Sequence, residues 1–502
     1  MFQPSRNNRN TKDIITSIEN IITMNARHIA IAIIALVCLL GSSHLQAANP
    51  PDKSGAKGYR FVLTIKNNHD SIMYLGNYYA GKTYAIDTAR IDKKGRFVFE
   101  RKNMTLFPGM YFFTNPAGNY VEFMVHNEKP DFTFATEESS WSNHLTVKGS
   151  KENEYFIAYQ KAYRNAHHAI DTALRSMGAQ SEEFVNFRRR TLLQLDSTVA
   201  TMIAAHPNSM IALMMNATRE PQVPSLDAEG NKLTNRQRWE YYMEHYFDNT
   251  RLDDEALVRT PNEIFIKRLN FYLDSCLHNA SAEMICEYVD KVIEKARPAK
   301  ENFRYLVHSI SEKYLQSPVM SYDAVYVHLV KKYVETGECF WMSPSTVDYN
   351  VKRANTWDKL LLGRTAPELI MKDHDGNFHS LHQQKHKYTL LIFWSPTCGH
   401  CKVMIPSLYK MYEHYRDKYD IGAYAVLSEP DEETRPKWLE FIENYKLQWI
   451  NVDGGEANID WHEVYDVITT PQIFLLDQDK KILAKKLNAE SFEMVIKALE
   501  NE

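Results

Sequence analysis

Two cysteines separated by two residues, Cys398-Gly399-His400-Cys401, lie within IFWSPTCGHCKVMIP at residues 392–406. That spacing serves three kinds of chemistry: half of a metal site, a static disulfide, or a pair that opens and closes. A structural zinc takes four ligands, and neither a second C-x-x-C nor an H-x-x-x-H is read as accompanying this one. A c-type haem requires His directly after the second cysteine, where Lys402 stands. A two-residue loop gains little chain-entropy stabilisation from closure. Reversible redox chemistry fits best, and it calls for no metal and no organic cofactor.

Placement sharpens this reading. The pair follows the apolar, β-rich run TLLIFW and opens the helical pattern KVMIPSLYKMYEHY. Unpaired N–H groups and the positive dipole end at a helix start stabilise a thiolate. Cys398 is therefore expected to be the exposed, low-pKa nucleophile, and Cys401, one turn in, to resolve the mixed disulfide. His400, when protonated, is expected to add a second source of thiolate stabilisation.

The elements around this pair read as an α/β layer over residues 360–502. Strands TLLIFW, IGAYAVLS and PQIFLLD interleave with helical stretches 402–418, 432–445 and 490–500. Upstream, residues 58–148 alternate in short β-branched and aromatic runs separated by turns such as KNNHD and DKKG. They predict a small antiparallel sandwich or barrel with Tyr111, Phe112 and Phe113 in its core. Residues 151–355 carry apolar residues at helical spacing, punctuated by prolines, and predict a helical domain. His167 and His168 are adjacent, face different directions, and read as surface residues rather than a metal pair. Cys276 and Cys286 are left open between a cross-link and two thiols.

The N-terminus carries a targeting pattern. After a polar stretch, MNARHIAIAIIALVCLLGSSHLQAANP from Met24 combines Arg27, an apolar run from Ile29 to Leu40, and small residues at Ala47 and Ala48. That is the layout of a secretory signal peptide, with Met24 as the expected start and 1–48 as extension plus signal. The apolar run is shorter than the roughly 20 residues a spanning helix needs, so cleavage is expected over a retained short anchor, and membrane association is not indicated after cleavage. Val37 before Cys38 argues against lipidation there. Export lets disulfides persist, and signal removal takes Cys38 from the six cysteines, leaving an odd number. The composition is 44% hydrophobic and 24% charged with net charge −4, which offers no polyanion-binding surface, so nucleic acid is not an expected partner.

Residues 362–502 resemble exported thioredoxin-fold domains of the TlpA/ResA type. The resemblance is carried by LGRTAPELIMKDHDGNFHSL, LLIFWSPTCGHCKVMIP and VITTPQIFLLDQDKKIL. The whole chain is similar to multidomain envelope proteins of Bacteroidetes with a β domain, a helical middle and a thioredoxin domain. The resemblance implies thiol–disulfide exchange with protein thiols and disulfides. It makes Trp394 the aromatic residue before the active-site loop. It makes Thr470-Pro471 the loop whose proline is cis, with residue 470 offering its backbone to an extended substrate segment.

The chain departs from that family at the proton acceptor for the second cysteine. A carboxylate is expected six residues before the first cysteine or three after the second, and Ile392 and Met404 stand there. The Gly399-His400 dipeptide also resembles that of disulfide isomerases, where His makes the pair more oxidising than Gly-Pro does. Couples on this fold span roughly −270 to −120 mV. The family context implies a reductase and the dipeptide leans the other way.

Two further readings compete. A thiol peroxidase calls for Pro and Thr/Ser at seven and three residues before the reactive cysteine; Ser395 meets the second position and Leu391 fails the first. Alternatively, the β and helical domains do the main work as a binding scaffold with an accessory redox domain.

Overall fold

The computed structural model describes residues 56–501. The signal-peptide reading, on residues 1–48, lies outside them. The chain divides into two compact units, one running through Asn279 with Asp290–Leu306, the other comprising Ala280–Val289 and Val307–Glu502.

The first unit opens with a β-sandwich. Strands β1 (Ala56–Lys66), β2 (Ile72–Tyr79), β3 (Lys82–Arg90), β4 (Arg96–Leu106), β5 (Gly109–Thr114), β6 (Tyr120–Val125), β7 (Asp131–Glu137) and β8 (Thr146–Lys148) form two four-stranded sheets, ordered β4-β1-β7-β8 and β3-β2-β5-β6. Strict alternation in β7 sends Phe132 and Phe134 inward and leaves Asp131 and Thr133 exposed, as a half-buried strand should. Phe61, Phe113 and Phe123 meet them in the core, Phe113 stacked on Phe123 at 4.7 Å.

The sandwich is not wholly antiparallel, because β1 pairs with β7 in parallel. The intervening strands carry the chain from one to the other, so no tight turn forces opposite directions. Tyr111 and Phe113 face the core as expected; Phe112 is buried on the other face, where its ring covers Gly76 so closely that a Cβ there would meet it at 2.3 Å.

Helices α1 (Lys151–Met177) and α2 (Glu182–Ala205) follow, their first turns capped by the Ser150 and Ser181 hydroxyls. His168 is exposed, but His167 is half-buried and stacks on Tyr163 at 4.1 Å, because its ring lies one turn beyond that tyrosine on the same face. Cys276 and Cys286 are not joined in a disulfide.

The second unit contains α3 (Asp323–Leu329) and α4 (Pro344–Lys359), and then the α/β layer. A hairpin of β9 (Ile370–Lys372) and β10 (Phe378–Ser380) leads into a five-stranded sheet of β11 (Tyr388–Trp394), β12 (Ile421–Leu427), β13 (Ile450–Asp453), β14 (Gln472–Asp477) and β15 (Ile482–Lys485), ordered β13-β12-β11-β14-β15. β11 and β12 pair in parallel and every residue of both is buried, which explains why they read as unbroken apolar runs. On one face, α5 (Gly399–Tyr419), α6 (Thr434–Tyr445) and α8 (Ala489–Leu499) cover a core with Ile392 and Leu390; on the other, α7 (Trp461–Val464) covers Leu391 and Phe393. Lys485 on β15 is buried against Asp323 of α3 and donates to the Leu360 carbonyl at 2.6 Å.

Among the described residues no helix is long and apolar enough to cross a membrane, and none of them group as a metal site.

Candidate redox site

The cysteine pair lies where β11 gives way to α5. Trp394 ends the strand fully buried, Ser395-Pro396-Thr397 turns the chain, and Cys398 is the N-cap of α5 with φ −71° and ψ 122°. Its sulfur takes the place of a capping oxygen: the Cys401 N–H donates to Cys398 Sγ at 3.4 Å. Cys398 is half-buried, whereas Cys401 is fully buried in the core with Ile392 and Trp394.

The two sulfurs differ electrostatically. Burial pushes the Cys398 thiol up, but hydrogen bonds from the Cys401 side chain and N–H, from the Thr470 side chain and from the His400 N–H outweigh it, so the thiol lies below its ordinary value. Burial pushes the Cys401 thiol up to about 12, with Cys398 adding to the rise and the Ser395 N–H opposing it. His400 acts on Cys398 through its backbone N–H, and its side chain is exposed. Gly399 opens the helix with open space where a Cβ would be.

Thr470 and Pro471 come to the same place from far along the chain. The Thr470–Pro471 bond is cis, and the Cys398 thiol donates to the Thr470 carbonyl at 3.2 Å. Two exposed apolar side chains belong to the same elements, Val403 on α5 (73% exposed) and Ile468 on the loop before Thr470 (65%).

Both expected carboxylate positions are apolar here: Ile392 lies in the core and Met404 packs against it. A carboxylate that the sequence reading missed reaches the turn instead. Glu429 accepts from the Ser395 hydroxyl at 2.6 Å and from the Thr397 hydroxyl at 2.7 Å, and these bonds hold its carboxyl below the usual range. The strand register brings it there. Trp394 pairs with Leu427, so residues just past the two strand ends lie side by side. The chain does contain one H-x-x-x-H spacing, His382–His386, but the fold does not make a metal half-site of it. His382 bonds the Ala366 carbonyl and His386 bonds Asp420, each at 2.8 Å.

Comparison with known proteins places these features. Family models match at residues 59–156 and 190–353 to two domains of unknown function (DUF4369 and DUF5106), and at residues 362–485 to the AhpC/TSA family. The thiol-disulfide oxidoreductase ResA of Bacillus cereus is 27% identical over 139 residues, covering 28% of this chain and 76% of that protein. The thioredoxin-like protein YneN of Bacillus subtilis is 30% identical over 117 residues, 23% of this chain and 65% of that one. Among solved structures, a domain of a possible thiol-disulfide isomerase from Cytophaga hutchinsonii is 35% identical, covering 28% of this chain and 97% of that one, with a TM-score of 0.26. A thioredoxin-like protein from Bacteroides caccae covers 55% of this chain and 97% of its own at 20% identity, with a TM-score of 0.44. The C-terminal domain of this chain belongs to the AhpC/TSA family and is a thioredoxin-like thiol–disulfide oxidoreductase.

Proposed function

We propose that this protein exchanges disulfides with other proteins in the cell envelope through Cys398 and Cys401. The Cys398 thiolate attacks one sulfur of a substrate disulfide. A mixed disulfide forms and the other substrate sulfur leaves as a thiolate. Cys401 then loses its proton to solvent and attacks Cys398, expelling the second substrate thiolate, and the two substrate thiolates take up protons from solvent. Substrate gains two electrons and the pair becomes a disulfide; run backwards, the same steps oxidise a substrate dithiol. Gly399 and the His400 N–H shape the helix start against the attacking sulfur, and buried Trp394 anchors the turn before it.

The observation that carries this reading is the inequality of the two sulfurs: one half-buried with a depressed pKa, its partner fully buried and raised to about 12. An attacking sulfur must be ionised and reachable, while a resolving sulfur must wait. Thr470 and Pro471 offer the substrate an edge of backbone beside Cys398, with Val403 and Ile468 as apolar flanks. The peroxidase alternative lacks support at this site, since Leu391 is buried in the sheet and the Ser395 hydroxyl is engaged by Glu429.

Export follows from the signal-like layout of residues 24–48 and places the pair where disulfides persist. The test is a Cys401→Ala chain expressed at native level. It should accumulate mixed disulfides with envelope proteins through Cys398, and a Cys398→Ala chain should accumulate none. Failure of Cys401→Ala to trap any protein, or recovery of the chain from the cytosolic fraction, would sink the proposal.

A further inference from the structure

Helix α4 lies ahead of the matched redox region, which begins at residue 362, yet it grips the loop that faces Cys398. Asp466 stands just after α7 with φ +48°, a left-handed conformation uncommon outside glycine. Its Oδ2 accepts from Trp357 Nε1 at 2.6 Å and from Arg353 Nε and Nη2, each at 3.2 Å. The Arg353 and Asp466 side chains are each only 20% exposed.

The grip is itself braced. The Arg353 guanidinium stacks over the Trp357 ring at 4.8 Å and donates to the Tyr349 hydroxyl at 3.2 Å. Trp357 packs edge-on against Tyr326 at 5.2 Å, and the Tyr326 hydroxyl donates to Asn350 at 2.8 Å. From Asp466 the chain has four residues to reach Thr470. The Val467 and Ile468 N–H groups bond back to His462 and Asp466, each at 3.0 Å, while Ile468 and Thr469 are exposed. Beyond it, Gln472 Nε2 donates to the Tyr465 carbonyl at 3.1 Å. The loop is thus a short span fixed at both ends, and the upstream end is fixed by side chains of α4.

We infer that Arg353 and Trp357 are positioning residues for the redox site, holding Asp466 so that the loop presents Thr470 to Cys398 and to the bound substrate segment. The inference rests on the exchange reading for what the loop presents, and on the α4–Asp466 geometry for how. Its consequence is that the helical region upstream supplies part of the redox machinery and sets how well a protein substrate docks. Small thiol reagents need only the sulfur and are expected to be less affected.

Three variants of the full chain test this: Trp357→Phe, which keeps the ring and removes the N–H; Arg353→Ala; and Asp466→Asn, which tolerates the same backbone and removes the charge. Two readouts are needed: the pH profile of Cys398 alkylation by iodoacetamide, and the kinetics of insulin disulfide reduction. A displaced loop withdraws the Thr470 side chain, whose hydrogen bond lowers the Cys398 thiol, so the alkylation midpoint should move to higher pH. Insulin kcat/KM should fall about tenfold or more, chiefly through KM, with thermal unfolding little changed. Midpoint and KM unaltered in all three variants would overturn the inference, as would losses that merely track a lowered Tm. Alkylation needs no protein substrate. A midpoint that moves in a chain unable to reduce insulin even as wild type would therefore support the clamp and count against the exchange reading.

Discussion

Cys398 Sγ accepts the Cys401 N–H at 3.4 Å, and this contact lets one cysteine help ionise the other while staying protonated itself. The sulfur at the cap feels the helix start; the sulfur one turn in feels the core. The first prediction is a split titration in the reduced chain. Alkylation of Cys398 should rise with pH and level off below the usual thiol range, whereas Cys401 should stay unmodified to about pH 12 or until the fold opens. Residue-resolved mass spectrometry after timed alkylation reads both. Equal labelling of the two at neutral pH would contradict the assignment of attacking and resolving roles.

A second prediction separates the two ways in which His400 acts. Its backbone N–H contributes to the Cys398 thiolate, while its side chain is exposed. His400→Pro deletes that donor and should make the couple more reducing, by roughly 30 mV if about 1.4 kcal/mol of thiolate stabilisation is lost. His400→Ala keeps the donor and should move the potential less. Equilibration with glutathione buffers measures both. A larger shift for alanine than for proline would mean that the imidazole charge dominates.

The third concerns the buried pair Lys485–Asp323. Burial lowers the lysine pKa and raises that of the aspartate, each partly offset by the other's charge. Removing one partner leaves an uncompensated buried charge, so Lys485→Met alone should destabilise by about 3–5 kcal/mol. The double change Lys485→Met with Asp323→Leu should recover most of that. Denaturant unfolding monitored within the second unit decides it, and additive losses would show that the pair does not act as one.

Much of this molecule could be read from local pattern. The helix expected over 402–418 runs Gly399–Tyr419, and its start at the cysteine pair, which carried the functional argument, needed only strand-then-helix periodicity. Long-range pairings were not legible. Nothing local to Arg353 points to Asp466 at a separation of 113 residues, and nothing in β1 announces a parallel partner at β7. Glu429 escaped because a carboxylate just past a strand looks like any surface residue until the neighbouring strand's register is known. The missing acids at Ile392 and Met404 were legible as departures, but only the packing shows that Ile392 shares the core that buries Cys401 and that Met404 lies against that core.

The last prediction concerns pH and the first unit. His126 is buried with Glu152 Oε1 3.5 Å from Nδ1 and Asp254 Oδ2 3.5 Å from Nε2. Burial alone would lower its pKa, but hydrogen bonds and charge from Asp254 and Glu152 raise it to about 9. Arg251 stands 3.1 Å from Asp254, and Glu152 also accepts the Met210 N–H at 2.9 Å, so neither carboxylate is devoted to the histidine alone. A folded value above the unfolded value near 6.5 means that the protonated ring stabilises the fold in full below about pH 6.5. The stabilisation shrinks as pH climbs and is gone above about 9. The amount at stake is about 3 kcal/mol. Unfolding of the first unit should therefore become easier between pH 6.5 and 9.5, and His126→Gln should be less stable at the acid end with a flatter profile. A wild-type profile that stays level across that interval would mean the ring is neutral in the fold, leaving the two carboxylates to be satisfied by Arg251 and backbone N–H groups.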